Sequence, residues 1–398
     1  MASSRIVHAC GSCDSPNLDS IVFLGYQQLA CTMPRVGDVP KEETHYPLEL
    51  LECADCGLLQ LSCIVDPSIV FHADYPYSSG NTQALWDDFA HLALSAEIWL
   101  EPGDVVVDIG ANDGTLLRCF SDKYKRVAVD PTDQVRGVAE YGILPNQAFF
   151  GSLVAKSLKS LHGPAKIVTA CNVMAHVENI HDVLDGVANL LADDGVFVSE
   201  NHDVANITDG MQWDCLYHEH LRFYSPGTYA DLLQRHGLHV ERIEPIGTHG
   251  GSFRTYAVKT ELAPVVQAVA CSDVDYAARV RETRSDIRDV IAVANGIGEV
   301  YGTGAAARAA TVVQYCGLTA DDIAAVCEVP TSDKLGHYMP GTEIPVVDEA
   351  RLIEDQPETA ILFSWHVAKH IIPKLRDRGY RGDIIIPLPQ VTVDRVAS

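Results

Sequence analysis

Positive charge is scarce in this chain. Only 29 Lys and Arg stand against 54 Asp and Glu, a formal net charge of −25, and such a surface is poorly suited to releasing the counterions of a nucleic acid or meeting an anionic lipid headgroup. Neither kind of partner is expected, and an anionic substrate must find a local basic pocket. Long apolar runs are missing as well: no stretch approaches the roughly 18 residues that a membrane-spanning helix needs. Met1 to Val7 has neither the basic start nor the long apolar core of a secretory leader, so a cytoplasmic location is expected. Cysteine is plentiful, but its distribution speaks against a disulfide framework. Six of the twelve fall in the first 63 residues and the other six are scattered singly, which suits a metal site plus buried thiols. With 398 residues, 47% of them apolar, the chain has material for roughly two to four domain cores.

Absences also define the stretch around which the chain is organised, Asp104 to Phe120 (DVVVDIGANDGTLLRCF). Val105, Val106 and Val107 form the β-branched run of a buried parallel strand, Asp108 to Gly114 breaks it, and Thr115 opens a helical pattern. No Gly-Lys-Ser/Thr follows, so this is not a P-loop, and Gly110 and Gly114 alone do not complete the dinucleotide fingerprint G-x-G-x-x-G. What remains is a strand, a glycine turn and a helix, with bare backbone for a ligand at the carboxyl edge of a doubly wound sheet. The next strand, Arg126 to Val129, ends in Asp130, 20 residues after Gly110, where an acidic group can hydrogen-bond ribose hydroxyls. The pattern favours S-adenosylmethionine (SAM) over a phosphate ligand. An ordinary glycine turn of some other α/β domain is the plain alternative.

Residues 1 to 65 carry Cys10-Gly-Ser-Cys13 and, after 39 intervening residues, Cys53-Ala-Asp-Cys56. Two C-x2-C hooks fit a tetrahedral zinc site, each supplying two thiolates from one tight turn, and Gly57 suits the second turn. Four sulfur ligands leave no open position, so the zinc is expected to be structural. Cys31 and Cys63 read as core thiols. A redox C-x-x-C fits less well because neither hook follows a βαβ pattern.

Residues 66 to 98 bring Tyr75, Tyr77, Ser78 and Ser79 together around Pro76, followed by a helix, Thr82 to Leu100, with Leu85, Phe89, Leu92 and Leu94 assigned to its apolar face. The segment reads either as a connecting loop or as a lid whose hydroxyls meet a polyhydroxylated ligand. From 99 to 260 strands and helices alternate as in a doubly wound domain. A strand from Ala165 to Ala170 runs into Cys171-Asn172-Val173-Met174-Ala175-His176 beside the expected ligand edge. Trp213 to Ser225 is the most chemically loaded stretch, with Tyr217, His218, Glu219 and His220 in succession. It lacks the i, i+4 histidine pair of a zincin helix. It is either a surface helix with solvated charges or a place for acid and base chemistry, since imidazole titrates near neutrality and a neighbouring carboxylate can fix its tautomer. His249-Gly-Gly-Ser-Phe-Arg254 is a hairpin turn or a ligand contact. Residues 261 to 398 repeat the strand, glycine turn and helix at Gly298 to Tyr315, after a helix expected from Val265 to Asn295, and Arg308 there could seat a phosphate at a helix N-terminus.

Taken together, the paired hooks, YPYSS, VDIGANDGTLL, NVMAHV, YHEHLRFYS, HGGSFR, YGTGAAARAATVVQYCGL and GHYMPGTEIPV resemble the sugar-nucleotide C-methyltransferases of deoxysugar biosynthesis, which build branched sugars for antibiotics. The likeness runs over almost the entire chain. It implies an α/β fold in which a class I SAM methyltransferase Rossmann-like core (99–260) is preceded by an N-terminal zinc-binding domain (1–65) and a Tyr-rich lid with its helix (66–98). A C-terminal Rossmann-like domain (261–398) would bind the nucleotide-sugar. The resemblance further implies SAM as cofactor, zinc as a structural metal, a dTDP-4-keto-deoxysugar as substrate, and a monomer or homodimer. Carried over residue by residue, His220 is the base, with Tyr217 and Glu219 beside it and His176 near the sugar or cofactor. Asp108, Gly110, Asn112, Gly114, Asp130 and Asn172 would meet SAM. Tyr75, Tyr77, Ser79 and Arg308 would meet the substrate, and Cys10, Cys13, Cys53 and Cys56 the zinc. One departure stands out: relatives commonly read GAxAKGN at the C-terminal glycine turn, whereas this chain has Arg308 in place of the lysine and lacks the Gly-Asn pair.

Carbon methylation sets its own chemical demand. A saturated carbon becomes nucleophilic only when a neighbouring ketone lets a base remove its proton, which is why a 4-keto sugar methylated at C3 is expected. Methylation of oxygen or nitrogen on a small metabolite, a second ketoreductase activity using NADPH at Gly302-Thr303-Gly304, and an inactive zinc-bearing binding protein are the competing readings.

Overall fold

The computed structural model describes residues 3–38, 44–71, 79–261 and 275–396. Tyr75 and Tyr77 lie outside the described residues, as do the first turns expected of the helix from Val265. Within the described part that helix runs Tyr276–Asn295.

Val105–Ile109 is buried along its whole length, as an apolar run covered on both faces must be. It sits inside a seven-stranded sheet. From one edge the order is His239–Ile246, Ser252–Val258, Leu191–His202, Ala165–Cys171, Val105–Ile109, Lys125–Asp130 and Leu144–Gln147, with only Ser252–Val258 antiparallel to its neighbours. Strand order reverses between the parallel neighbours Val105–Ile109 and Ala165–Cys171, because the strands that follow Val105–Ile109 first extend the sheet one way and the later ones extend it the other. That is the switch point at which an open α/β sheet leaves a crevice beyond its strand ends. This is the expected methyltransferase core.

The helix Gln83–Ala96 covers one face of that sheet through Leu85, Phe89, Leu92, Ala93 and Ala96. Leu94, assigned to the apolar face from sequence, is 70% exposed. Nine residues from Leu85 is half a rotation at about 100° per residue, so Ala93 and Ala96 take the place given to it.

Besides a small pair of strands, Ser4–Ile6 with Cys63–Val65, two larger sheets accompany the core. In the N-terminal region Leu18–Gln27, Tyr46–Cys53 and Leu59–Leu61 pair antiparallel, and a short strand, Arg222–Phe223, joins their edge from the middle of the chain. The C-terminal sheet has the order Val346–Asp348, Ala325–Glu328, Val300–Thr303, Thr359–Leu362, Asp383–Ile386 and Thr392–Asp394, parallel except at the last strand. This is a Rossmann-like order with its own reversal beside Val300–Thr303.

Besides cores of their own, the units share one. Val22, Leu24 and Leu48 from the N-terminal sheet, Met211 and Trp213 from the middle of the chain, and Ile287, Val312 and Phe363 from the C-terminal region form one apolar cluster. At about 25 cal/mol per Å² of apolar surface, burial on this scale is what fixes the three regions against one another. Among the described residues no helix is long and apolar enough to cross a membrane.

Candidate active site and metal centre

The glycine turn has the backbone that its sequence requires. Gly110 and Gly114 have φ of +70° and +75°, and an added Cβ would meet Val173 Cγ2 at 2.4 Å and Val138 Cγ1 at 2.8 Å. Neither position accepts a side chain. Asn112 and Asn172, at φ +50° and +55°, bend the chain at the two strand ends that border the crevice. A cavity there is lined by Ser79, Phe89, Asp108, Gly110, Leu116 and Cys171. Bare backbone at a switch point, flanked by carboxylates, fits the cationic nucleoside SAM.

Asp108 is buried and accepts the Thr169 hydroxyl at 2.6 Å. Burial pushes its carboxyl up to about 7, against the Thr169 bond and reinforced by the nearby Asp130. Asp130 accepts Asn112 N on one oxygen (2.9 Å) and Thr132 N and Oγ1 on the other (2.8 and 2.6 Å), so it braces the turn that it was expected to complete. Oδ2, with one donor, keeps a lone pair for a ribose hydroxyl, while Thr132 takes both of those on Oδ1. Ser79 departs from its expected place at the substrate. Its amide donates to Asn112 Oδ1 at 3.0 Å, Gly80 N donates to Asp113 Oδ2 at 2.8 Å, and the residue lines the cofactor cavity.

The stretch Trp213 to Ser225 is not a surface helix. It is a single 3-10 turn, Trp213–Cys215, followed by a buried irregular loop. His220 Nδ1 lies 2.9 Å from the Cys215 carbonyl and its Nε2 lies 2.8 Å from Tyr217 Oη. A carbonyl can only accept, so Nδ1 carries the hydrogen. Burial, and secondarily His176, holds the ring well below its ordinary pKa and hence neutral, which leaves a lone pair on Nε2 that Tyr217 O–H donates into. His176 repeats the arrangement: its Nδ1 donates to the Glu219 carbonyl at 2.7 Å, its ring centroid is 4.9 Å from that of His220, and burial lowers it to about 4. The structure therefore brings His176, Tyr217 and His220 together.

Glu219 is used differently from its neighbours. Its backbone carbonyl orients His176, while its buried carboxylate acts on the Cys31 thiol and on Lys334. His218 turns outward from the pair, with Nε2 3.3 Å from the Pro47 carbonyl and its ring against Tyr46.

Arg308 corrects a second expectation. Its guanidinium is not offered to a phosphate; Nε and Nη2 hold the two oxygens of buried Asp214 at 2.9 and 2.8 Å, and it also donates to Gln212 Oε1 and the His249 carbonyl. The glycine turn before it is filled too. An added Cβ at Gly302 would meet Phe363, one at Gly304 would meet Ser364, and the Ala305 amide donates to Glu328 Oε2 at 2.7 Å. Lys334 is the cation beside this turn, with Nζ on the Ala305 carbonyl at 2.8 Å. Sequence reasoning passed over Lys334, Asp214, Gln212 and the half-buried His202. The adjacency of Trp213 and Cys215 was a signal that Asp214 is buried. The hairpin at His249 is a short turn, and Arg254 beyond it pairs with Glu200 (2.6 Å) and Asp88 (2.9 Å) under the sheet.

The four hook cysteines converge. Cys10 Sγ lies 3.5 Å from Cys56 Sγ and Cys13 Sγ 3.6 Å from Cys53 Sγ, all four within 4.8 Å of one another. A tetrahedral zinc with Zn–S of about 2.3 Å sets sulfurs about 3.8 Å apart, so the donor set and its spacing fit. Asp14 and Gly57, each one residue past a hook, adopt φ of +59° and +74° and close the two turns. Cys31 and Cys63 lie apart, buried with Leu29, Tyr46 and Val65.

Comparison with known proteins follows the same three-part division. A zinc binding domain family model matches residues 10–71, a methyltransferase domain model matches 80–243, and a C-methyltransferase C-terminal domain model matches 247–389. The chain is 29% identical over 411 aligned residues to the C-methyltransferase NovU of Streptomyces niveus, covering 98% of this chain and 97% of that protein. Among solved structures, an S-adenosylmethionine-dependent methyltransferase from Clostridium acetobutylicum aligns at 14% identity over 46% of this chain and 94% of its own, with a TM-score of 0.35. Magnesium protoporphyrin IX methyltransferase from Synechocystis PCC 6803 aligns at 15% over 44% and 81%, with a TM-score of 0.34.

Two predictions follow from this geometry. Cys53→Ser removes one of four thiolates and one member of the core beneath the hooks; zinc content by mass spectrometry is expected to fall from one to near zero per chain, with a thermal midpoint several degrees lower. Full retention of both would contradict the assignment. The second concerns acid. His176 and His218 are lowered to about 4, and His202 and His366 to about 3, in each case chiefly by burial. Unfolded, each takes a proton near its ordinary value of about 6.5, so the unfolded chain binds more protons below that pH. Their contribution is complete above pH about 6.5 and is lost as pH falls toward 4. Asp108 and Glu200, raised by burial, act in the opposite sense but are outnumbered. Scanning calorimetry from pH 7 to 4.5 should therefore show a midpoint falling steeply below about 6.5, and a flat profile down to pH 5 would refute it.

Proposed function

We propose that this homologue of the SAM-dependent C-methyltransferases methylates C3 of a dTDP-4-keto-deoxysugar, a step in making branched deoxysugars for antibiotics, with His220 as the base. The division of labour proposed with it gives 1–65 to zinc, 66–98 to a lid, 99–260 to SAM and 261–398 to the nucleotide-sugar. The observation that carries the reading is the half-buried, neutral His220, whose Nδ1–H is committed to the Cys215 carbonyl and whose Nε2 lone pair is held by a phenol. A carbon acid needs such a base, already desolvated and in one tautomer.

The substrate's ketone draws the Tyr217 hydroxyl away from Nε2 and accepts its hydrogen bond. Nε2 then takes the C3 proton, and the electron pair of the C–H bond moves onto the ketone oxygen as an enolate that the phenol stabilises. The imidazolium so formed keeps its Nδ1–H bond to Cys215, now charge-assisted. Gly110, Gly114, Asp130 and their neighbours would hold SAM, which would supply an electrophilic methyl group for the nucleophilic carbon, the S–CH3 bond pair staying on sulfur as a neutral thioether. His176, neutral at 4.9 Å between ring centroids, lets the imidazolium form without a fixed positive charge on that ring. Lys334, on the Ala305 carbonyl, offers the nucleotide a local cation in a chain otherwise rich in carboxylates.

Methylation of an oxygen or nitrogen needs no carbon acid, and this difference supplies the test. In D2O, without SAM, the enzyme should exchange the C3 hydrogen of a dTDP-4-keto-deoxysugar for deuterium. His220→Asn should slow that exchange by about 10²- to 10⁴-fold, while calorimetry finds SAM bound as before. Undiminished exchange in His220→Asn removes the base, and no exchange in the wild type removes the ketone chemistry.

A further inference from the structure

Asp214 is fully buried, and a carboxylate so placed destabilises the fold by several kcal/mol unless its charge and lone pairs are met. Both oxygens are met, and all the partners come from the C-terminal region. Arg308 grips it bidentately at 2.9 and 2.8 Å, and Trp365 Nε1 donates to Oδ2 at 2.7 Å, with the guanidinium carbon 5.2 Å from the Trp365 ring centroid. A fork-to-fork pair fixes the orientation of a carboxylate plane, which a single ammonium cannot do. Three residues further along the helix Ala307–Cys316, the Thr311 hydroxyl donates to the Leu216 carbonyl at 2.9 Å. The Cys215 carbonyl therefore lies between two pinned neighbours, a side chain at 214 and a carbonyl at 216. That carbonyl is the acceptor for His220 Nδ1. The same Nη2 of Arg308 also steadies the approach, donating to Gln212 Oε1 at 3.0 Å, whose amide in turn donates to the Gly250 carbonyl at 2.7 Å.

We propose that Asp214, with Arg308, Thr311 and Trp365 closing on it, is a positioning device for His220: the C-terminal region holds the Cys215 carbonyl, and through it the tautomer of the ring and the direction of its Nε2 lone pair. The proposal rests on the reading of His220 as the base. Holding the regions together does not require this ion pair, because the apolar cluster through Trp213, Tyr315 and Val312 already does so, and well-packed apolar residues often replace buried ion pairs without loss. What an apolar replacement cannot supply is a direction. Nor can the residues be reached from the ring in one step; they act through a peptide group and touch neither reactant.

The mildest changes test this best. Trp365→Phe keeps a ring and removes one donor; Arg308→Lys keeps the charge and removes the fork. In protein labelled with ¹⁵N-histidine, the wild-type His220 pair, assigned by its loss in His220→Asn, should give the signature of a single Nδ1–H tautomer in long-range proton–nitrogen spectra. Both variants should shift that pair toward tautomer averaging and lower kcat on the keto-sugar by about 10- to 100-fold, with KM and the calorimetric Kd for SAM within twofold. An unchanged tautomer signature with kcat within twofold overturns the proposal. So does a loss of kcat that appears only alongside lost SAM binding or a collapsed thermal midpoint. Because the spectra need no substrate, they judge the positioning even if the deuterium experiment has removed His220 as the base.

Discussion

A carbonyl oxygen can accept a hydrogen bond but never donate one, and two such oxygens decide the chemistry available at the centre of this protein. The carbonyls of Cys215 and Glu219 face Nδ1 of His220 and His176, and each leaves its ring with a lone pair on the far nitrogen. Everything else about the site concerns how those carbonyls are held. They belong to one irregular loop with little secondary structure of its own, and it is fastened from three directions. The N-terminal sheet takes its end as an edge strand, Arg222 against Gln60 and Phe223 against Leu59. The turn that follows Ala165–Cys171 accepts Leu221 N on the Ala175 carbonyl. The C-terminal region contributes the grip on Asp214 and Leu216.

That arrangement gives the zinc site a role beyond its own turns. With all four positions filled by sulfur the metal would have no place for chemistry, yet Cys10 and Cys53 lie in the same apolar cluster as Tyr224 and Tyr229, just beyond the loop that carries His220. The hooks stabilise the sheet whose edge the loop completes. In the same way, the glycine turn at Gly110 and the turn at Ser79 and Gly80 are tied through Asn112 and Asp113, so the chain entering the methyltransferase core is anchored at the cofactor cavity. Burial keeps the imidazoles neutral, and neutrality is what makes them bases at all. Their basicity is low, so on the proposed reading their value lies in being oriented and uncharged beforehand, which would let positioning carry a large share of the work.

Local features were legible in the sequence and long-range ones were not. The strand, turn and helix at Val105 to Cys119 and the two hooks depend on backbone conformation within a few residues, which residue types dictate directly: a Gly at +70°, a Gly or Asp past each hook. Tyr217, His218, Glu219 and His220 were legible as chemistry from their density, yet which of them faces the others could not be read, because the loop has no period. Thus the Glu219 carboxylate turned out to act on Cys31 and Lys334 while its backbone serves His176. Arg308 failed as a phosphate ligand for a similar reason. A cation near a helix N-terminus suggests an anion, and the anion was Asp214, 94 positions away. No local pattern encodes such a partner. Leu94 is a simpler case, since counting apolar residues overlooked the rotation per residue that turns it to solvent.

The dependence of one loop on three regions can be read directly by amide hydrogen exchange with mass spectrometry over residues 213–224. The wild type should exchange slowly there, since Cys215, Leu216, His220 and Leu221 all donate to backbone carbonyls. Breaking a distant anchor, by Cys53→Ser in the zinc site or Arg308→Ala in the C-terminal region, should speed exchange of that same peptide in each case. If either variant loosens only its own region and leaves 213–224 as protected as before, the loop is not held in the way described here, and the account of His220 built on it fails.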